Sequence, residues 1–292
     1  MSIEYNQFKV TEDSTVSLKE YSTLETGGFD KESAKKELKQ SIKELKKLQR
    51  IFYADDRFSL LIVLQASDTA GKDGIIRHVM SGLNPQGCRV NSFKTPSKEE
   101  LDHDYLWRHY KALPERGMIE IFNRSHYENV LVTKVNPSFI LNENLPGIES
   151  VEDIDNLFWQ RRYEQINNFE KHLCQNGTHI LKFFLHISKE EQKERMLARL
   201  DNPDKNWKFN SDDLKAREQW DEYQGAYQEM LEETSKDHAP WFVIPADKKY
   251  YARMAVGDII LEKFKSLNLE YPKGESEDLL SNAREQLLNE NL

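Results

Sequence analysis

Residues 61–77, Leu61-Ile-Val-Leu-Gln-Ala-Ser-Asp-Thr-Ala-Gly-Lys-Asp-Gly-Ile-Ile-Arg77, decide the fold. The run Ser59–Gln65 is strand-sized and apolar enough to be buried on both faces, as in a parallel sheet. It passes directly into a loop holding Gly71-Lys72, and a helix is expected from about residue 74. A strand, a glycine-lysine loop and a helix form the setting in which backbone N–H groups and a helix N-terminus surround a phosphate, with the lysine adding a point charge. The match to G-x-x-x-x-G-K-[ST] is imperfect. Ala66 stands at the first glycine, and Asp73 replaces the hydroxyl residue that binds magnesium. Asp68 adds a carboxylate that repels phosphate unless a divalent cation lies between them, which makes it a candidate Mg²⁺ ligand. Taken alone, the loop also fits a surface turn with a capped helix start.

Strand-sized runs recur at 89–95, 118–122, 179–187 and 241–245. Helical patterns lie between most of them, at about 74–82, 98–111, 151–176, 188–200 and 211–233, and a further helix is expected at 250–266. Ahead of the first strand, Leu38, Ile42, Leu45, Leu48 and Phe52 recur at helical spacing through residues 31–54. Alternation of this kind predicts an α/β fold with a parallel sheet covered by helices on both faces, its ligands at the carboxyl ends of the strands. Residues 1–28 read as an extended or loosely packed arm, and the tail from residue 268 as acidic with a short amphipathic helix. The stretch 201–209 interrupts two charged helices and reads as the tip of a helical lid covering about 195–225.

A second strand end, Gly117-Met-Ile-Glu-Ile-Phe-Asn-Arg-Ser-His-Tyr-Glu-Asn-Val-Leu-Val132, repeats the design and is expected beside the loop. Arg124 is suited to a forked grip on phosphate oxygens, with pairing to Glu128 one turn later as the alternative. His126, lacking a metal partner nearby, reads as structural.

Composition bounds the function. The 292 residues, 38% hydrophobic and 31% charged, belong to a water-soluble globular class. Acidic residues outnumber basic ones by 50 to 41 for a formal charge of −9, which argues against broad nucleic-acid binding but not against a polyanion bound by local cations. No apolar run is long enough to cross a bilayer. Cys88 and Cys174 alone cannot build a disulfide framework or a zinc site, and with no secretory pattern at the N-terminus the expected compartment is the cytoplasm.

The loop ASDTAGKDG, the runs HVMSGLNPQGCRVNSFKTPS (78–97) and IFNRSHYENVLV (121–132), and NWKF (206–209) together resemble the polyphosphate kinase 2 family over about residues 30–265. NRSHYE is similar to the branch that phosphorylates AMP as well as ADP. The resemblance implies a P-loop kinase-like three-layer fold, with a sheet of about five parallel strands and a helical lid, in a domain spanning about 29–267. It implies Mg²⁺-dependent transfer (Mn²⁺ as an alternative) between inorganic polyphosphate and adenine nucleotides, in a dimer or tetramer.

Carried over by position, Asp68, Lys72, Arg124 and Asn129 would be catalytic. Thr69, Ala70, Gly71, Lys72, Asp73 and Gly74 would hold phosphates, with Arg77, Lys94, Lys134, Arg199, Lys205 and Lys208 extending a basic path. Arg116, Asn123 and Glu128 would hold the nucleotide. The metal ligands would be Asp68 and the residue at 129, where the related pattern has aspartate and this chain has Asn129. The sequence fits a natural amide there or an introduced one, the intact remainder of the motif favouring the second. An ATP-dependent nucleoside or nucleotide kinase and a non-catalytic nucleotide- or polyphosphate-binding protein are the rival readings.

Overall fold

The computed structural model describes residues 5–290. Five parallel strands, β1 (Ser59–Gln65), β2 (Cys88–Ser92), β3 (Ile119–Asn123), β4 (Thr178–His186) and β5 (Trp241–Pro245), form one sheet in the order β2-β3-β1-β4-β5. The α-helices are α1 (Lys31–Asp55), α2 (Lys72–Val79), the single turns α3 (Lys98–Leu101), α4 (Trp107–Tyr110) and α5 (Val132–Val135), then α6 (Asn156–Gln175), α7 (Lys189–Leu200), α8 (Asp212–Glu218), α9 (Trp220–Thr234), α10 (Lys249–Ser266) and α11 (Glu277–Asn289). The α/β architecture expected from the alternating pattern is present.

Strand β1 lies at the centre, and all seven of its residues are buried. Its side chains alternate between two cores, as the twofold period of a strand requires. Leu60, Ile62 and Leu64 join Leu45, Phe52, Val79, Met254 and Phe264 under α1, α2 and α10. Leu61 and Val63 join Phe122, Tyr163, Ile166, Met230 and Trp241 under α6 and α9. At about 1.5–3 kcal/mol for each fully buried aliphatic side chain, this strand anchors both layers.

Local chemistry sets the element ends. Asp30 and Ser33 form a reciprocal capping box at the start of α1, and Asp56 closes it in a left-handed conformation. The continuous helix expected over 98–111 is instead two single turns. The Asp104 carboxylate accepts the Leu106 N–H at 2.9 Å, which offers the backbone a turn in place of a helix. The helix expected from 151 begins at Asn156, where Asp155 accepts the Phe158 N–H. The segment 211–233 divides into α8 and α9 at Gln219.

The N-terminal arm is extended but not loose. Phe8, Val10, Val16 and Leu18 are buried, and the Val10 N–H donates to the Trp241 carbonyl at 2.9 Å, placing the arm on the outer edge of β5. The acidic tail carries α11, whose Leu279, Leu280, Leu287 and Leu288 are exposed. No helix among the described residues is long and apolar enough to cross a membrane.

Gly117 enters β3 at φ +74°, and a Cβ there would stand 3.0 Å from the Tyr53 carbonyl oxygen. Gly117→Ala is therefore expected to lower stability by about 1–3 kcal/mol, through a strained φ and a backbone collision. A urea unfolding curve with an unchanged midpoint would contradict this.

Candidate active site

Parallel pairing aligns Leu64 of β1 with Asn123 of β3, so the loop after β1 and the turn after β3 leave the sheet side by side. The two motifs singled out in the sequence therefore meet at one end of the sheet.

Residues 66–71 form the loop. Thr69 adopts φ +65° and Gly71 φ +118° as the chain swings into α2. The first-turn N–H groups of α2 have no acceptor within the helix and form an anion-binding end. The loop's carbonyls are taken from behind. Lys72, buried, donates from Nζ to the Ala66 oxygen at 2.7 Å. Arg195 of α7 donates from Nη1 to Ala70 O at 2.7 Å and Thr69 O at 3.3 Å. Its Nη2 donates to Ala246 O at 2.6 Å and Asp247 O at 3.0 Å, and its Nε to Glu191 at 2.7 Å. One guanidinium thus ties the loop to the segment after β5. Burial, with the Arg124 cation as a second cause, pushes the Lys72 ammonium down to about 8.

Arg124 faces the loop from the β3 side with a left-handed backbone, φ +65°. Its Nη2 donates to Asp68 at 2.5 Å, and Nη1 lies 3.7 Å from Glu128. The expected Arg124–Glu128 pair and the expected approach to the loop both occur. Charge from Glu128, then from Asp68, holds this guanidinium above its usual range. Burial, with Asp68 next, raises the carboxyl of Asp213 in α8. Asp68, Glu128 and Asp213 thus gather negative charge around one arginine.

Asn123 donates to the Asp73 carboxylate at 3.1 Å. Lys208 of the lid reaches the same carboxylate at 3.3 Å, so the lid already touches the first turn of α2. Arg199 works inside the lid, bonding Lys208 O at 3.1 Å and Asp213 at 3.0 Å. Asn129 is buried and donates to the His126 carbonyl at 3.0 Å.

One candidate lies away from this site. Arg116 donates to the Arg57 carbonyl at 2.6 Å and lies beside Gly177, just before β1 and β4 begin. That is the opposite end of the sheet, separated from the loop by the seven residues of β1, roughly 20 Å. A nucleotide role for Arg116 at this loop is therefore corrected: the residue precedes β3 and so stands at the strand's amino end, away from the carboxyl ends that carry the loop. Lys134 is paired with Glu229 and lies 5.3 Å from the Trp159 ring centroid, and Lys94 is exposed, with its carbonyl accepting from Arg108. His126 is structural, as expected: it is fully buried, with Nε2 3.3 Å from Glu170.

The structure adds residues that the sequence did not reveal. Arg253 of α10 packs over Gly74, its Nη2 3.3 Å from where a Cβ would lie. Beside it a groove of about 540 Å³ is lined by Lys31, Lys35, His78, Lys248, Lys249 and Arg253, together with Leu38, Tyr250 and one carboxylate, Asp247. Burial, then the charge of Arg195, lowers both Lys249 and Arg253. Among the described residues Arg77, Lys249 and Arg253 have no ion-pair partner. In a chain of charge −9, unpaired cations beside the loop are a marked feature. Periodicity could not find them, because basic residues on exposed helix faces look alike in sequence.

The model of the family described as polyphosphate kinase 2 matches residues 28–272. The chain belongs to the polyphosphate kinase 2 family. It is 47% identical over 274 residues to the ADP-polyphosphate phosphotransferase of Rhodopseudomonas palustris, covering 94% of each chain. It is 44% identical over 272 residues to the AMP/ADP-polyphosphate phosphotransferase of Meiothermus ruber, covering 92% of this chain and 96% of that one. The crystal structure of polyphosphate kinase 2 from Arthrobacter aurescens TC1 superimposes with a TM-score of 0.87 at 38% identity, over 97% of this chain and 96% of that chain.

Arg195→Ala would leave four carbonyls without their donor and cut the tie across the loop. A stability loss of about 2–4 kcal/mol is expected, with faster amide exchange at 67–73. Unchanged exchange in the loop would mean that other contacts hold it.

Proposed function

We propose that the chain transfers a phosphoryl group from inorganic polyphosphate to AMP or ADP, giving ADP or ATP, and that the reaction runs in both directions. The observation that carries this is the pairing of two features: a loop backed by buried Lys72, and beside Gly74 a groove rich in cations, of which Lys249 and Arg253 have no ion-pair partner among the described residues. A mononucleotide needs only the first. A long polyanion needs both, since it carries roughly one negative charge per phosphate along its length. The names of the Rhodopseudomonas and Meiothermus relatives support the same substrates.

Phosphoryl transfer asks little covalent help of a protein; alignment and charge neutralisation dominate. The terminal phosphates of the donor would rest on the N–H groups of the loop and α2, with the Lys72 ammonium adding its charge from behind the loop while it holds the Ala66 carbonyl. Arg124 would leave Asp68 to grip the group in transfer, with Glu128 holding its other edge. A phosphate oxygen of the nucleotide is already ionised at neutral pH, so no general base is needed. Lys205 and Lys208, on the lid, would close over the chain. The donor's tail would run past Arg253 and Lys249 toward Arg77, His78, Lys31 and Lys35. In solution the chain would form a homo-oligomer, dimer or tetramer, in the cytoplasm.

A divalent cation fits the residues present. Carboxylate oxygens are the donors that Mg²⁺ and Mn²⁺ take, and the Asp68 carboxylate is partly open to solvent beside a guanidinium that already meets Glu128. Asp68 would hold the ion with substrate oxygens, and the ion would supply charge neutralisation between the two phosphate chains. Asn129, holding the His126 carbonyl, offers at most an amide oxygen.

The assay is ATP formation from polyphosphate, Mg²⁺ and ADP or AMP. Lys72→Ala should lower the rate at least about 100-fold with the fold intact; a fully active variant would sink the assignment. Asn129→Asp should raise the rate and lower the Mg²⁺ requirement, because it adds a carboxylate. No gain would remove position 129 from the metal site and leave it as a tie to His126.

The groove is tested separately. Arg253→Ala should raise KM for long polyphosphate by roughly tenfold, the worth of one charge-assisted contact, while KM for tripolyphosphate changes less than about twofold. Equal effects on both donors would withdraw the groove from the reading.

A further inference from the structure

Lys182 is a buried charge within the apolar run Ile180–Leu185 of β4, and nothing in the reaction touches it. Its ammonium spends all three protons: on Glu170 Oε2 at 2.6 Å, on Thr234 O at 2.7 Å and on the Tyr127 hydroxyl at 2.8 Å. Glu170, equally buried, accepts at Oε1 from the Tyr127 hydroxyl at 2.7 Å and from His126 Nε2 at 3.3 Å. The geometry assigns the proton of the imidazole to Nε2. Trp241 closes the cluster by donating to Thr234 Oγ1 at 2.9 Å, with its ring 4.8 Å from that of Tyr127.

The cluster has a direction. Tyr127 and His126 belong to the 3₁₀ turn His126–Val130, which starts two residues after Arg124 and contains Glu128. Tyr127 points into the core while Glu128 meets Arg124 above it. Just ahead of the turn the Arg124 N–H donates to Leu64 O at 3.3 Å, and the Gln65 amide, oriented so that both of its atoms find partners, accepts from Ser125 Oγ at 3.1 Å and donates to Glu128 Oε1 at 3.1 Å. The turn cannot rotate to re-aim Glu128 or Arg124 without breaking bonds at Glu170. A buried ion pair is a weak source of stability compared with apolar side chains of the same volume. Its use is the fixed geometry that its complete set of hydrogen bonds imposes.

We infer that Lys182 and Glu170 are positioning residues which, through Tyr127 and His126, set the placement of Glu128 and Arg124 for phosphoryl transfer. The inference rests on the transfer reaction proposed above. It concerns geometry, so it should appear in kcat rather than in the binding of either substrate.

The test is a double-mutant cycle of Tyr127→Phe with Glu128→Gln, read in kcat and in KM for polyphosphate. Tyr127→Phe removes one hydroxyl, keeps the ring and leaves the Lys182–Glu170 pair intact. It should lower kcat roughly 10- to 100-fold, the effect of a small misplacement, with KM nearly unchanged. Because Tyr127 acts through Glu128, the combined variant should lose little beyond the larger single loss. Losses that multiply, or an unchanged kcat in Tyr127→Phe, overturn the inference. If Tyr127→Phe does not fold, the pair variant Glu170→Leu/Lys182→Met, apolar on both sides, enters the same cycle. Should the unaltered protein show no transfer from polyphosphate, the functional reading fails on that control. Positioning is then judged from crystal structures of the unaltered and variant proteins. An Arg124–Glu128 separation held at 3.7 Å in both overturns it, and a displacement of about 1 Å or more supports it.

Discussion

The site depends on turning the carbonyls of residues 66–70 away from the ligand. A tight loop carries as many acceptors as donors, and it binds an anion only if the acceptors are satisfied elsewhere. Two cations do this from the protein side: Lys72 on Ala66, and Arg195 on Thr69 and Ala70. With those oxygens engaged, the amide groups at the start of α2 face outward. Because Arg195 also holds Ala246 and Asp247, the loop cannot shift without the chain after β5 moving with it.

The remaining layers share the work on either side of β1. On the face covered by α1, α2 and α10, helix starts and unpaired cations gather near the loop, where a long anion would lie. On the face covered by α6 and α9, aromatic packing and the Lys182 cluster fix the turn that presents Arg124 and Glu128. The central strand belongs to both cores, so the two halves of the site share one rigid origin. The carboxylates Asp68 and Glu128 meet the Arg124 guanidinium directly, and Asp213 adds negative charge nearby.

Much of this was legible in the sequence because the signals were local. The β1 run and Gly71-Lys72 are contiguous, and Ser59–Gln65 and Trp241–Pro245 were read with their observed bounds. The Arg124–Glu128 pair follows from four-residue spacing. What escaped depends on distance. Arg116 is a different case: it precedes β3, so chain direction already put it at the amino end, away from the loop, and only the family resemblance suggested its role. Arg195 and Arg253 look like ordinary helix-surface charges until α7 and α10 are folded onto the loop. Breaks at Asp104 and Gln219 come from side-chain competition and lid geometry that a hydrophobic period does not encode. One signal was available and unused: Lys182 interrupts the apolar run of β4, and a charge inside a buried strand requires a partner.

The N-terminal arm, lying along β5, also sets the valence of the sheet. A sheet grows by adding strands at a free edge, and here one of the two edges is taken by the chain's own residues 9 and 10. Only β2 is left with an outward row of donors and acceptors among the strands described. A chain adding at β5 would first have to displace this arm from Trp241 and Phe242, whereas one adding at β2 would displace no strand of the sheet. The arm thus makes the two edges of the sheet unequal.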